Sequence, residues 1–415
     1  MEFPRERYIE RLDGLRFKGG VKIITGMRRC GKSYLLFELY RRHLIDDGVP
    51  EDHIVAISLE PLENRRLRDP VALLHEIDSR IADDDRYYVM LDEIQMASGF
   101  VDLINSLRQR RNLDIYVTGS NSRFLSSDMA TEFRGRGTEI RVHPLSFSEC
   151  VPVLGGDDRT AWRRYLLFGG LPEGMELDDE ERMNYLSNLI SATYVRDIIE
   201  RKRVQHPKVL DILFDLLSSA VGSLTNPNRL HKSLAGRGID VSWETVSEYI
   251  GHLEDAFLFE ESKRFDIKGK AYIDSPSKYY ATDLGIRNAK LGFRQDEFTH
   301  LMENAIYNEL RYRGFSVDVG VIGIREYVNG NREYKQLEID FIAGKGELRY
   351  YIQSAYHMDE DAKKEQEIRP FLSINDGFRK IVLTEDDVPR HIDGNGIVIM
   401  NVIDFMRDQK SLERR

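Results

Sequence analysis

The residues Gly26-Met27-Arg28-Arg29-Cys30-Gly31-Lys32-Ser33 form a complete phosphate-binding loop. They follow an apolar run that predicts a strand, Val21 to Thr25, and they precede a run that predicts a helix, Tyr34 to His43. Glycines allow a backbone to wrap around a phosphate, so that successive N–H groups form an anion-binding nest at a helix N-terminus. In this context we expect Lys32 to reach the β- and γ-phosphates of a nucleotide and the Ser33 hydroxyl to bind Mg²⁺.

A pair of carboxylates, Asp92 and Glu93, lies near the end of a second apolar run, Tyr87 to Gln95. A buried parallel strand reads as continuous hydrophobic residues, and an open α/β sheet binds its ligand at the carboxyl ends of its strands. We therefore predict that Asp92 belongs to the Mg²⁺ site and that Glu93 is the general base that activates the attacking water.

A third predicted strand, Leu113 to Thr118, is followed by the polar segment Gly119-Ser120-Asn121-Ser122. These residue types are common in plain turns. They also suit a site that senses the γ-phosphate or holds the attacking water. We favour the sensor because the strand before it belongs to the same sheet pattern.

Two arginines, Arg134 and Arg136, precede a further predicted strand, Thr138 to Val142. An arginine that approaches a transferring phosphoryl group stabilises the negative charge of the transition state. Surface charge in a loop is the alternative. We favour catalysis, with Arg136 ahead of Arg134, acting on the ATP of a neighbouring subunit.

Taken in order, the segments GMRRCGKS, YYVMLDEIQ, YVTGSNS, FRGRG and HPLSFSE resemble the AAA-superfamily P-loop ATPases of bacteria and archaea that carry a C-terminal nuclease-like domain, of the domain of unknown function 4143 type. The resemblance covers nearly the whole chain. It implies an α/β fold with an AAA-type parallel sheet core and a helical lid, and it implies that the chain binds ATP with Mg²⁺ and hydrolyses it.

The resemblance also assigns roles to individual residues. Gly26 to Ser33 is the Walker A motif, Asp92-Glu93 the Walker B pair, Asn121 the first sensor and Arg136 the arginine finger. Phe168 to Pro172 resembles the family's Gly-x-Pro element, whose proline packs near the adenine. The expected nucleotide-binding residues are Gly26, Met27, Arg28, Arg29, Cys30, Gly31, Lys32, Ser33, Tyr34 and Pro172; the expected catalytic residues are Lys32, Glu93, Asn121 and Arg136; the expected metal ligands are Ser33 and Asp92.

The composition bounds the class of protein. The chain has 415 residues, of which 41% are hydrophobic and 31% charged, and its formal net charge is -10. No apolar run is long enough to span a bilayer, the first residues lack the core of a signal peptide, and two cysteines cannot form a disulfide framework. We therefore expect a cytoplasmic protein without membrane contact, in several domains. The net charge excludes general nucleic-acid binding by overall charge, although the first 42 residues are basic.

The expected domains are an ATPase core in residues 1–150, a helical lid in 151–205, a winged-helix-like domain in 206–290 and a degenerate restriction-endonuclease-like α/β domain in 291–415. The predicted order in residues 206–290 is helix, helix, turn and helix, followed by two strand-like runs, Phe257 to Phe265 and Lys278 to Ala281. This is the order of a winged helix.

The charge of this predicted winged helix leaves its partner open. No Lys or Arg occurs from Asp240 to Ser262, and the presumed recognition helix carries Glu244 and Glu248, which would oppose phosphate contacts. A helix that packs or binds protein is therefore as plausible as one that reads DNA. The predicted wing is basic and offers DNA contacts through Lys263, Arg264, Lys268 and Lys270.

The last domain resembles the restriction-endonuclease-like fold, whose metal site uses a helix Glu, a strand Asp and a Glu-x-Lys on the next strand. Glu303 and Asp340 fit this pattern, but Gln353 and Ala355 stand where the Glu and Lys belong. Cleavage needs hard oxygen ligands for Mg²⁺ and a cation to activate water. We therefore expect a domain that has lost cleavage and serves binding or assembly.

Two functions remain from this reading. The first is an oligomeric ATPase, with subunits assembled as a ring, that couples ATP hydrolysis to nucleic-acid binding or remodelling. The alternative is an ATP-dependent conformational switch that binds a protein partner in signalling or defence, without movement on DNA. A nuclease under ATP control is disfavoured by Gln353 and Ala355.

Overall fold

A computed structural model of the chain describes residues 2–119, 137–294, 297–328, 331–358 and 361–414. The chain divides into two compact units. The first comprises Met1–Pro144 together with Asp255–Phe257, and the second comprises Leu145–Glu254 together with Leu258–Arg415.

The first unit is built on a sheet of five parallel strands in the order β2-β3-β4-β1-β5. The strands are β1 Val21–Thr25, β2 Ile54–Ser58, β3 Tyr87–Asp92, β4 Leu113–Thr118 and β5 Gly137–Arg141. Every residue of β1, β3 and β4 is buried, as expected of parallel strands whose two faces are covered. Because the strands are parallel, their carboxyl ends lie along one edge of the sheet.

The described residues of this unit, 2–119 and 137–144, contain four helices. They are α1 Glu6–Asp13, α2 in the consecutive segments Lys32–Tyr34, Leu35–Tyr40 and Arg41–Asp46, α3 Pro70–Ser79 and α4 Phe100–Arg108, with short 3₁₀ turns at Glu51–His53, Leu62–Arg68 and Ile94–Met96. The middle segment of α2 is π-helical. The start of α3 follows from its sequence, because the Asp69 carboxylate accepts the N–H groups of Val71 and Ala72 and Pro70 occupies the first turn.

One hydrophobic core joins the helices to the sheet. Leu73 and Ile77 of α3, Leu103 and Leu107 of α4 and Val89 of β3 belong to the same buried cluster. Burial of a Leu or Ile side chain contributes about 1.5–3 kcal/mol. The core therefore holds β3 firmly in the sheet and fixes the position of the carboxylates at its end.

A buried ion pair joins β1 to β4 near their amino ends. The ammonium of Lys22 contacts the carboxylate of Asp114, and their side chains are 1% and 3% exposed. Asp114 also accepts the Tyr116 hydroxyl at 2.6 Å and the Phe17 N–H at 3.1 Å. The carboxylate is thus satisfied by three donors, which is the condition under which a buried charge is tolerated.

The second unit contains ten helices within the part of the chain that the structure describes. They are α5 Phe147–Leu154, α6 Asp158–Phe168, α7 in the segments Asp179–Leu189, Ile190–Val195 and Arg196–Lys202, α8 Pro207–Ser219, α9 Pro227–Ala235, α10 Trp243–Asp255, α11 Leu284–Lys290, α12 Phe298–Tyr312, α13 Asp361–Leu372 and α14 Val402–Arg407; Pro172–Gly174 forms a 3₁₀ turn. Ser242 caps the start of α10, because its hydroxyl accepts the Thr245 N–H at 3.1 Å.

An eight-stranded mixed sheet forms the other part of the second unit, in the order β12-β13-β11-β10-β9-β8-β6-β7. The strands are β6 Phe259–Asp266, β7 Ala271–Ala281, β8 Ser316–Val328, β9 Asn331–Lys345, β10 Leu348–Ala355, β11 Arg379–Thr384, β12 His391–Ile392 and β13 Val398–Asn401. The strands β8, β9 and β10 are antiparallel neighbours, whereas β10, β11 and β13 are parallel.

The hairpin of β6 and β7 lies where the sequence predicts a wing, but it is not separate from the last domain. Residues Arg264 to Asp266 of β6 pair in parallel with Val319 to Val321 of β8. The hairpin is therefore the edge of the eight-stranded sheet. The predicted DNA contact through Arg264 is wrong. Arg264 is 9% exposed, and its guanidinium donates to Gln336 Oε1 at 2.9 Å.

The Gly169-Gly170 pair has a packing explanation within the second unit. Gly169 has a φ of +68°, and a Cβ at Gly170 would lie 2.1 Å from the Leu145 carbonyl oxygen. The Gly170 N–H donates to the buried Asp283 carboxylate at 2.8 Å. Gly169 is therefore required by its left-handed backbone and Gly170 by the close approach of the Leu145 backbone. The expected role of the half-buried Pro172 beside an adenine stays a prediction.

Candidate functional site

The phosphate-binding loop runs from the end of β1 to the start of α2. Its backbone has positive φ at Gly26, Arg29 and Gly31, with values of 140°, 66° and 94°. A Cβ at Gly26 would lie 2.2 Å from the Val142 carbonyl oxygen, so only glycine fits there. This alternation of conformations produces the concave backbone that places N–H groups around an anion.

Lys32 lies inside this loop. Its side chain is buried, and its ammonium donates to the carbonyl oxygens of Gly26 at 3.0 Å and of Met27 at 2.9 Å. Phosphate oxygens would be stronger partners for an ammonium than neutral carbonyls, because the two groups then carry opposite full charges. The loop therefore holds its cation in place for an anionic ligand.

Asp92, at the end of β3, is the centre of a buried polar cluster. One of its oxygens accepts the Ser33 hydroxyl at 2.8 Å and the Thr118 hydroxyl at 2.5 Å, and the other accepts the Ser58 hydroxyl at 3.2 Å. The cluster joins α2 to the carboxyl ends of β2, β3 and β4. Carboxylate and hydroxyl oxygens are hard ligands that suit Mg²⁺, which binds proteins through one or two such groups and keeps its remaining waters. The donor set of Ser33 and Asp92 thus fits the expected Mg²⁺.

Glu93 follows directly, in a left-handed conformation with a φ of +50°. Its N–H donates to the Thr118 hydroxyl at 3.0 Å, which ties the backbone of the carboxylate pair to β4. The Gln95 side-chain amide donates to the Glu93 carboxylate. Among the residues that the structure describes, the buried Gln95 amide oxygen has no hydrogen-bond partner. Gln95 therefore orients Glu93, the candidate general base, and keeps its own amide oxygen as a hydrogen-bond acceptor.

The other residues expected at the nucleotide occupy different environments. Met27 and Cys30 are buried, and the Cys30 thiol lies 3.4 Å from the Val142 carbonyl oxygen. Tyr34 is 46% exposed and its hydroxyl donates to Glu2 at 3.2 Å. Arg28 and Arg29 belong to the loop itself. Asn121 and Arg136 lie outside the described residues, so their roles stay predictions.

Comparison with known proteins identifies the family. Residues 18–151 match a family model described as an AAA domain, and residues 159–297 match a domain of unknown function, DUF8612. An uncharacterized protein of Haemophilus influenzae is 31% identical over 408 residues, which cover 97% of this chain and 98% of that protein. The chain belongs to the AAA-domain P-loop ATPase family.

Two further proteins resemble this AAA-domain chain. An uncharacterized protein of Methanocaldococcus jannaschii is 26% identical over 368 residues, which cover 85% of this chain and 78% of that protein. The solved structure of the Walker-type ATPase PABY2304 of Pyrococcus abyssi has a TM-score of 0.51 and 15% identity, and it covers 70% of this chain and 96% of its own. The likeness to this solved structure supports the fold of the chain. Across the described residues of the AAA-domain chain, no helix is both long and apolar enough to cross a membrane.

Three polar residues around the nucleotide site of the AAA domain are absent from the sequence prediction. Ser58 and Thr118 end the strands on either side of β3, and Gln95 follows the carboxylate pair by two residues. A polar residue that ends an apolar strand next to the catalytic strand is a signal for such a role. Ser58 is 34 residues from Asp92 along the chain, so its place beside Asp92 follows from the strand order and not from the sequence alone.

A second polar cluster lies in the eight-stranded sheet of the AAA-domain chain. The structure brings together Glu303 of α12 and Asp340 of β9, as the sequence predicts. Gln353 lies beside them, since its amide oxygen accepts the Asp340 N–H at 3.4 Å, and the small side chain of Ala355 is buried. Lys278 of β7, which the sequence analysis does not single out, contacts Glu303 at 2.8 Å and Asp340 at 3.4 Å.

The electrostatics of this cluster reflect its burial. Desolvation raises the pKa of Glu303 to about 7, although the nearby ammonium of Lys278 opposes this shift. Burial by itself would lower the pKa of Lys278, but the carboxylates of Glu303, Asp340 and Glu338 raise it well above its ordinary value. Lys278 is therefore held as an ammonium within the protein.

Proposed function

We propose that the chain hydrolyses ATP with Mg²⁺ at the carboxyl edge of the five-stranded sheet. The observation that carries this proposal is the 2.8 Å contact between the Ser33 hydroxyl and Asp92, with Glu93 as the next residue. A phosphate loop, a metal-ligand pair and an adjacent carboxylate base are the parts that hydrolysis of a nucleoside triphosphate requires. Membership of the AAA-domain family supports ATP as the nucleotide.

In the proposed reaction, Lys32 exchanges its bonds to the Gly26 and Met27 carbonyls for bonds to phosphate oxygens. Ser33 and Asp92 would hold Mg²⁺, which when bound neutralises charge on the β- and γ-phosphates. Glu93 accepts a proton from water as the water oxygen bonds to the γ-phosphorus. The bond from that phosphorus to the bridging oxygen breaks, and ADP and phosphate leave.

Gln95 is expected to position this reaction. Its amide orients the Glu93 carboxylate, and its unpaired oxygen can accept a hydrogen from the attacking water. Gln95→Leu should lower kcat about tenfold, which corresponds to the loss of one hydrogen bond of about 1.4 kcal/mol, and leave the KM for ATP unchanged. Steady-state kinetics of Gln95→Leu beside Gln109→Leu, the same change at an exposed site, checks this. An unchanged kcat in Gln95→Leu would rule out the positioning role.

For the output of the ATPase, we propose contact with nucleic acid through the eight-stranded sheet. Lys263, Lys268 and Lys270 are exposed on the β6–β7 hairpin. The hairpin borders a groove of about 690 Å³ whose lining includes Arg325 and the 65% exposed Tyr334. Cations that follow a backbone and aromatic rings that stack on bases are the combination by which single strands are bound.

A protein partner is the second candidate, and α10 favours it. Trp243, Glu244 and Glu248 lie exposed on this helix, which occupies the recognition position of the predicted winged helix. An aromatic ring flanked by carboxylates suits a basic protein surface and opposes phosphate. The assembly of subunits, in which Arg136 completes the site of a neighbouring subunit, stays a prediction from the sequence. Sedimentation of the full chain with and without ATP tests it.

The two candidates are separated by ATP hydrolysis measured with single-stranded, double-stranded and branched DNA across a salt series. Nucleic-acid coupling predicts that one DNA form stimulates hydrolysis and that salt abolishes the stimulation. Charge reversal at Lys268 and Lys270 to Glu should weaken binding and lower the slope of log affinity against log salt by about 1.4 on a single strand. Lys410→Glu, a reversal at another exposed site, should change neither. Hydrolysis that no DNA affects would favour the protein partner.

A further inference from the structure

The Lys278 ammonium is surrounded by three carboxylates from two elements. Its nitrogen lies 2.8 Å from Glu303 on α12, 2.9 Å from Glu338 and 3.4 Å from Asp340, both on β9. The side chain of Lys278 is 4% exposed, and those of Glu303 and Asp340 are 9% and 11% exposed. The ammonium is thus inside the protein, among groups that are themselves removed from water.

The carboxylates are held in place by partners other than the lysine. The Tyr280 hydroxyl donates to Glu303 at 2.7 Å, and the Ser354 N–H donates to the second oxygen of Asp340 at 2.9 Å. Gln353 bridges the backbone of Asp340 to the carboxylate of Glu367. Two of the three carboxylates would therefore keep their orientation if the ammonium were absent.

The charges do not balance around a single ammonium. The three acidic side chains carry more than one negative charge against the single ammonium even though burial raises the pKa of Glu303 to about 7, whereas a divalent cation would supply two positive charges. Oxygen-rich sites of this kind suit Mg²⁺, Mn²⁺ or Ca²⁺, which take carboxylate ligands at about 2.0–2.6 Å. The contacts to Lys278 are longer, so a metal would require the ligands to close inward. Glu338, whose side chain is 36% exposed, is the ligand with room to move.

We infer that the Lys278 ammonium occupies the position of a divalent cation in the eight-stranded sheet, so that the chain carries its own counter-ion and binds a metal there only when that ammonium is removed. This inference is independent of ATP hydrolysis. The eight-stranded sheet would then hold a metal-free centre, and the role of Lys278 would be to exclude a metal ion. The replacement residues Gln353 and Ala355 give no indication of this role.

The test measures Mn²⁺ binding to the full chain by calorimetry and by electron paramagnetic resonance, without nucleotide. Wild type should bind no Mn²⁺ at this cluster. Lys278→Ala should gain a single Mn²⁺ site at this cluster, and its melting temperature should rise with Mn²⁺. Lys278→Met, which removes the charge but fills the space, should show neither effect. Asp340→Asn introduced into Lys278→Ala should abolish the binding.

If Lys278→Ala does not fold, the double variant Lys278→Ala with Glu338→Gln leaves one fewer uncompensated charge and retains Glu303 and Asp340 as ligands. It should still bind Mn²⁺ more tightly than wild type. The inference is overturned if wild type binds one Mn²⁺ that Asp340→Asn removes, or if neither Lys278→Ala nor the double variant with Glu338→Gln gains binding. Mg²⁺-dependent DNA cleavage by wild type that Lys278→Met abolishes would also overturn it, because the lysine would then be part of a working nuclease centre.

Discussion

Replacement of Glu93 by Gln is expected to lower the rate of ATP hydrolysis by about 10²–10⁴-fold, the usual contribution of a general base. The amide has the shape of the carboxylate but cannot accept a proton from water. ATP binding should persist, because Lys32, Ser33 and Asp92 are untouched. Phosphate release and the binding of a fluorescent ATP analogue, measured on the same preparation, give the two quantities.

Glu63→Gln is the matched control for this change. Glu63 is exposed in the 3₁₀ turn Leu62–Arg68, outside the polar cluster of Asp92. The same chemical replacement there should leave both hydrolysis and binding at wild-type values. A Glu93→Gln protein that hydrolyses ATP at the wild-type rate would exclude Glu93 as the base.

Replacement of Lys22 by Met should destabilise the first unit by about 3–5 kcal/mol, the cost of breaking a buried ion pair from one side. Methionine fits the space but leaves the Asp114 carboxylate charged and buried with only neutral donors, Tyr116 and Phe17. Hydrogen exchange of the β1 and β4 amides, followed by mass spectrometry on the full chain, measures the free energy of local opening.

Two further variants separate lost charge balance from lost packing. Lys22→Met combined with Asp114→Asn removes both charges and keeps an oxygen for the Phe17 N–H, so most of the lost stability should return. Lys18→Met makes the same replacement at an exposed site and should change the opening free energy by no more than about 0.5 kcal/mol. If the double variant is as unstable as Lys22→Met alone, the ion pair is not the cause.

The strands of the nucleotide site were predictable because their signal is local. β1 and β4 begin and end where the sequence predicts, at Val21–Thr25 and Leu113–Thr118. Parallel strands buried on both faces read as uninterrupted apolar runs, and turn residues or charges mark their ends. The contact of Ser33 with Asp92 follows from the same logic, since the loop and the end of β3 share one edge of the sheet.

The second unit was less predictable because its organisation depends on distant pairing. β8, Ser316–Val328, was not predicted, and two glycines interrupt its apolar pattern. Gly320 and Gly323 are explained only by the structure, where a Cβ at Gly323 would lie 2.3 Å from the Tyr334 hydroxyl. Without β8 the hairpin of β6 and β7 reads as a free wing, which is why Arg264 was assigned to DNA.

Lys278 illustrates the same limit at the level of a site. Its partners Glu303 and Asp340 lie 25 and 62 residues away along the chain. A lysine in a strand of mixed polar and apolar residues carries no local sign that it is an internal counter-ion rather than a surface charge. Gln95 is similar, because the motif that contains it identifies Asp92 and Glu93 but gives no reason for the amide that follows.

The central claim is tested most directly by phosphate release from ATP by the purified full chain, with and without Mg²⁺, beside Lys32→Ala checked for folding by circular dichroism. The account predicts steady Mg²⁺-dependent hydrolysis by wild type that stops on chelation and is lost in Lys32→Ala. Absence of Mg²⁺-dependent hydrolysis in the folded wild type, or an equal rate in Lys32→Ala, would contradict it.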